Sequence, residues 1–339
     1  MKFSKKRLVL GLFIFLTAIA LWLFSSDFIL SRELDYDPYR YLFHALNEDS
    51  ASQLGANYRI VDYLRFAGAT GLGYYLMHLL IAFFCYQALL GYAIIPKIDF
   101  KVLCALMILA LLLVQTGKDG FLSLSLVSLL AWAPRGIASQ QDRQIPLYKI
   151  FSIFTLIFSS WIRIQSLAYA LIVIVMIRLG WKNSCIISVL MALFYSIYAL
   201  WFADPLDPQI ESFGAESSVP QSFMGVPTFG IGFASFLVRL FFYFSSNVAL
   251  PFIYVLKVLS GQQVPLHVIC FYFIVLVLLL ILCKKPKLFS RFMATLLPFC
   301  LFLSASPIVH FRYLLSVMPF AIIYISASCD SWSDDVIRA

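Results

Sequence analysis

The chain has 339 residues, 62% of them hydrophobic and only 12% charged, and a formal net charge of +8. So few polar groups cannot cover a surface exposed to water. The balance excludes an ordinary soluble domain and selects a chain whose backbone polar groups are satisfied inside helices in lipid. The bases lie in short clusters between apolar runs, a pattern of membrane topology and anionic headgroups, so no nucleic-acid partner is expected.

The expected architecture is an all-α polytopic membrane domain over residues 1–339, with about 10–12 transmembrane helices, several of them short hairpins around an outer-face cavity. Lys2, Lys5, Lys6 and Arg7 precede the apolar run Leu8–Phe24, which reads as an uncleaved signal anchor with a cytoplasmic amino terminus. The loop at 25–68 follows on the outer side, with seven acids against four bases. Its densest part, Ser31–Tyr41, packs Glu33, Asp35 and Asp37 between Arg32 and Arg40. Within the loop, Pro38–Asn47 has a helical start and is expected to lie along the membrane surface. Ala69–Pro96 returns to the cytoplasm at Lys97 and Lys101.

Two long apolar spans come next, each with charge in its middle. Val102–Ala133 is interrupted by Thr116–Gly120, and Ile150–Gly180 by Arg163. Each is either one long helix burying charge near mid-membrane or a hairpin of two short ones. The connecting segment Pro134–Lys149 carries Arg135, Arg143 and Lys149 against Asp142 alone, which puts it inside and requires hairpins. Gly117 and Gly120 suit a tight turn. Lys118, Asp119 and Arg163 then reach the outer side.

Ser184–Phe202 goes out again to a second outer loop, 203–230, which has four acids, four prolines and no Lys or Arg, and reads as a lid. Ile231–Val258 is either a hairpin turning near Ser245–Asn247 or an interfacial pair that does not cross. Leu266–Cys283 enters toward Lys284, Lys285, Lys287 and Arg291, Phe292–Ser306 leaves, and Leu314–Ser328 returns, so both termini are expected in the cytoplasm. The segment Pro307–Tyr313 then puts His310 and Arg312 outside. The expected inner segments before the tail hold 15 Lys/Arg and two acids. The seven cysteines show neither CxxC nor Cys/His spacing, so no metal and no cofactor is expected.

This topology collects Asp35, Asp37, Lys118, Asp119, Arg163, Gln165, His310 and Arg312 on one face. Carboxylates beside several cations suit glycosyl transfer from a polyprenyl-phosphate donor. A carboxylate accepts the proton of the attacking hydroxyl, and Arg or Lys holds the phosphate as charge grows on it. Asp35, Asp37, Arg163 and Arg312 are the candidate catalytic residues. Arg40, Lys118, Asp119, Gln165, His310 and Tyr313 are the candidate substrate contacts. Plainer readings stand beside these: solvated loop acids for Asp35 and Asp37, a hairpin tip for Lys118 and Asp119, an interfacial anchor for Tyr313, and packing or hydrogen bonding for His44, His78 and His267.

The acidic DYDPYRY loop (Asp35–Tyr41), the KDG hairpin (Lys118–Gly120), WIRIQS (Trp161–Ser166) and HFRY (His310–Tyr313) together resemble bacterial Wzy- and EpsG-type oligosaccharide polymerases, and more distantly GT-C membrane glycosyltransferases. The resemblance implies a protein of the bacterial inner membrane that joins lipid-linked oligosaccharide units on its outer face. Its partners would be a polyprenyl-phosphate-linked donor and acceptor, membrane lipid and other polysaccharide-assembly proteins. A GT-C loop carboxylate would correspond to Asp35 or Asp37, and the outer-face arginines of polymerases to Arg163 and Arg312. A flippase for lipid-linked sugars and a membrane O-acyltransferase are the alternatives.

Overall fold

The computed structural model describes residues 5–30, 59–67, 71–91, 98–115, 118–133, 145–163, 165–202, 237, 240–241, 251–261, 264, 266–304 and 312–329. Among the described residues every regular element is helical. In chain order these are α1 (Lys5–Leu30), α2 (Arg59–Ala67), α3 (Gly71–Gly91), α4 (Phe100–Val114) and α5 (Lys118–Ser128), the last extended by a 3-10 turn at Leu129–Trp132. There follow α6 (Ile145–Ile162), α7 (Ser166–Leu179), α8 (Trp181–Phe202), α9 (Leu266–Cys283), α10 (Pro286–Leu303), α11 (Arg312–Leu315) and α12 (Met318–Cys329). A further helical stretch covers 251–259.

Helix α4 is the centre, packed by α1, α3, α5, α9 and α12. It is apolar nearly all round, so it has no solvent face to offer. Its start is set by Asp99, whose carboxylate accepts from the Val102 N–H at 2.9 Å, a cap worth about 1 kcal/mol. It stops at Gln115, where the backbone turns extended.

Cross-helix contacts give the directions. Tyr86 donates to the Leu106 carbonyl at 3.2 Å, and His78 lies 2.9 Å from that of Leu113, so α3 and α4 are antiparallel. Between α5 and α6, Ser128 meets Thr155 at 2.9 Å and the Trp132 indole donates to Ser152 at 2.7 Å, again antiparallel. This seam is lined with small hydroxyl side chains, which let apolar helices approach closely and bond across. The expected reversals at 116–120 and 163 are present. A methyl at Gly120 would strike the backbone of Leu112 and Leu113, and Ser159 reaches Ser166 at 2.8 Å, which a continuous helix would hold about 10 Å apart. A third reversal needs one residue: Gly180, at φ +87°, separates α7 from α8.

These pairings sort the charges. The Gln87 amide donates to the Leu8 carbonyl, which sets the start of α1 beside the end of α3. That end of the bundle carries Lys5, Lys6, Arg7, Lys101 and Lys149, the last 5.0 Å over the Trp132 ring. Arg178 and Lys182 flank Gly180 at the same end, and Lys284, Lys285 and Lys287 follow α9 there. The outer faces of the bundle stay apolar, with Phe13, Phe84, Phe154, Ile157, Leu190, Phe194 and Phe273 exposed. Among the described residues, three helices are long and apolar enough to cross a membrane: Lys5–Phe24, Leu266–Cys283 and Pro286–Leu303. Shorter apolar helices, including α4, α7 and most of α6, accompany them.

Some boundaries differ from the sequence reading. Helix α1 runs through Ser25–Leu30, where Ser25, Ser26 and Asp27 suggested loop, because one more turn and a half of helix tolerates polar residues once nucleated. A helix, α2, lies within the expected outer loop. Helix α10 begins at Pro286, six residues ahead of the expected Phe292, with proline in its favoured first-turn position. The last run is split at Ser316–Val317 into α11 and α12. The surface helix expected at Pro38–Asn47, the lid at 203–230 and most of Ile231–Val258 lie outside the described residues.

Candidate functional site

At the opposite end of the bundle, the tips of the α4–α5 and α6–α7 hairpins meet. Arg163 leaves the last turn of α6, its N–H still bonded to the Ser159 carbonyl at 2.8 Å, and its own carbonyl receives the Ser166 N–H at 2.9 Å. The side chain is 3% exposed, so its charge has to be answered locally. Its Nη1 donates to Oδ1 of Asp119 at 2.6 Å and its Nε to Oε1 of Gln165 at 2.9 Å. Asp119 lies in the first turn of α5, where the helix dipole favours a carboxylate. It is more open than its partner, with 19% of its side chain exposed. Lys118, half-buried, precedes it in the same turn.

Four of the expected site residues are therefore gathered by the fold: Lys118, Asp119, Arg163 and Gln165. Asp119 and Arg163 are also each other's partner, which the plain hairpin-tip reading of Asp119 did not anticipate. Arg312 and Tyr313 open α11, which packs on α10 and α12, but their side chains lie outside the described residues. Asp35, Asp37, Arg40 and His310 lie outside them altogether.

Around the pair stand residues that sequence reasoning did not assign to a site. His78 of α3 is fully buried, with Nε2 placed 2.9 Å from the Leu113 carbonyl and 3.1 Å from that of Gln115. The Tyr63 hydroxyl of α2 meets its Nδ1 at 3.4 Å. Tyr63 also presents its ring to Phe121 and Phe158 at 5.5 and 5.1 Å, and Phe121 meets Phe158 at 4.8 Å. Arg59, at the start of α2, donates to the Trp161 carbonyl at 3.3 Å, in the last turn of α6. The signal for α2 was present in RIVDYLRF (Arg59–Phe66): Ile60, Val61, Tyr63 and Leu64 are buried, while Phe66 points outward.

The depth of the site follows from helix geometry. Through Phe15 against Phe83, Tyr86 against Leu106 and His78 against Leu113, the α4–α5 turn is level with Ala20 of α1. At 1.5 Å per residue that is about 22 Å from Lys5, and α1 continues about 15 Å further to Leu30. The pair is thus at the floor level of short hairpins, beside a helix that overtops them. Chemically, a guanidinium can grip phosphate or carboxylate oxygens, and a carboxylate with an open edge can take a proton from a hydroxyl. Comparison with family models, curated proteins and solved structures returns no match for this chain.

Proposed function

We propose that the chain is a multi-pass membrane glycosyltransferase of the repeat-unit polymerase kind. On this reading it joins oligosaccharides carried on polyprenyl phosphate at the outer face of the bacterial cytoplasmic membrane. The observation that carries the reading is the Arg163–Asp119 pair at the meeting of two short hairpins. The apolar exterior and the gathering of bases at one end support a membrane placement with that end in the cytoplasm. In a hydrocarbon core of about 30 Å the pair then lies about 8 Å beneath the outer boundary. At such a depth the donor's phosphate has to be met by a polar recess at the hairpin tips, because hydrocarbon does not solvate its charge. Arg163 and Arg312 hold the donor phosphate, Asp35 or Asp37 takes the acceptor proton, and Lys118, Asp119 and Gln165 shape the pocket between them. Arg40, His310 and Tyr313 contact the sugars.

The deciding experiment is elongation of a purified lipid-linked repeat unit by the purified chain in liposomes. Ladder formation without other proteins is expected. Arg163→Ala and Arg312→Ala should each slow it about 100- to 1000-fold, the cost of losing a charge-assisted transition-state contact, and Lys should restore little at either position. Translocation of the substrate with no new glycosidic bond would replace this reading with a flippase.

Placement is checked separately. On a cysteine-free background, Gln140→Cys should resist an impermeant maleimide in intact cells while Ser52→Cys reacts. Strong labelling at 140 from outside would invert or break the proposed topology.

A further inference from the structure

His78 is a histidine whose every polar atom has an assignable task. The Nε2 atom faces two carbonyls, Leu113 at 2.9 Å and Gln115 at 3.1 Å. Carbonyls only accept, so Nε2 carries the hydrogen and shares it between them. In the neutral ring the lone pair is then on Nδ1, and the Tyr63 hydroxyl 3.4 Å away is the group placed to donate to it. The two carbonyls belong to the end of α4, where the last carbonyls point beyond the helix's own hydrogen-bond ladder. Gln115 is four residues before Asp119, so fixing its carbonyl limits where the Asp119 carboxylate can go. Gly120 against the Leu112 backbone is the other anchor of the same turn.

Tyr63 extends the restraint. It belongs to α2, the helix that follows the acidic loop, and its ring is wedged between Phe121 of α5 and Phe158 of α6. One side chain thus touches both hairpins and the histidine that holds one of them.

We propose that His78 is the positioning residue of the Asp119–Arg163 site. Through the Leu113 and Gln115 carbonyls it sets the turn that carries Asp119, and through Tyr63 it ties that turn to the helix after the acidic loop. The consequence for turnover rests on the function proposed above, whereas the consequence for the turn does not.

The test uses the full chain on a cysteine-free background with Gln115→Cys as reporter, since that change keeps the residue 115 carbonyl. His78→Phe retains a ring of similar size and loses both hydrogen-bonding edges. It should raise the rate of maleimide labelling at 115 about tenfold and lower kcat about tenfold with little change in KM, because a misplaced group costs rate more than binding. His78→Gln places an amide N–H near the Nε2 position and should bring both readouts to within about threefold of the parent. Tyr63→Phe removes only the Nδ1 partner and should fall between them, and it serves as the probe should His78→Phe fail to fold. Equal labelling in the His78→Phe, Tyr63→Phe and parent chains would overturn the proposal, as would a Gln variant no better than Phe. Labelling that separates Phe from Gln in a chain with no elongation activity would uphold the positioning role and remove the proposed reaction.

Discussion

Asp119→Ala is expected to destabilise the bundle by about 3–5 kcal/mol, more than most single changes, because it leaves a buried guanidinium without its carboxylate. Arg163 is 3% exposed and bonds Asp119 at 2.6 Å, so neither water nor the solvent dielectric compensates. Gln165 remains, but a neutral carbonyl oxygen does not replace a charge. Arg163→Met should cost less, since Asp119 keeps an open edge through which it can be hydrated or protonated. The double variant Asp119→Ala with Arg163→Met should be more stable than Asp119→Ala alone, because it also removes the buried charge that has lost its carboxylate. Thermal unfolding in detergent, read with the four corners of the cycle, gives the coupling. Simple additivity would show that the two side chains do not support each other. The same double variant should be inactive under the proposed function, which separates the scaffold role of the pair from its chemical role.

Gly120→Ala is the second large effect. A Cβ there would run into the Leu112 carbonyl oxygen and come within 2.8 Å of Leu112 C and Leu113 Cα, all of them backbone atoms of α4. Backbone cannot rotate aside, so α5 has to move off α4 and carry Asp119 with it. Overpacking of this kind costs about 1–3 kcal/mol where side chains can adjust, and this site belongs at or above the top of that range. Gly11→Ala is the matched control. Its new Cβ meets Leu90 Cδ1 and the Gln87 amide, the far ends of flexible side chains, so its loss should be about 1 kcal/mol or less. Expression level and unfolding temperature of the two variants, measured side by side, check the contrast. Equal effects would mean that the α4–α5 contact is slack.

The hairpins were legible because two constraints agreed. Basic residues in 134–149 asked for one side of the membrane, and a charge in the middle of each flanking apolar run asked for a turn. The pairing of Asp119 with Arg163 was legible in principle from the same data. Opposite charges interrupting successive apolar runs at matching depth have every reason to neutralise each other. Each charge alone also fits a ligand contact or a hairpin tip, and residue types do not choose among these. Helix α2 was hidden by its polar residues: Arg59, Asp62 and Arg65 gave the loop its charge count while Ile60, Val61 and Leu64 fell on one buried stripe. The role of His78 could not be read from sequence. A buried histidine announces that it needs partners, but two main-chain carbonyls 35 and 37 residues away leave no pattern in residue types.

The 44 residues between Asp119 and Arg163 also set a timetable for biogenesis. At 5–20 residues per second, the ribosome adds Asp119 about 2–9 s before it adds the arginine that neutralises it. During that interval the carboxylate has to stay hydrated or take up a proton, so under the proposed membrane placement the first hairpin waits near the headgroups. It settles to its final depth only when the second arrives. The two hairpins are thus one unit of insertion, although the chain delivers them separately.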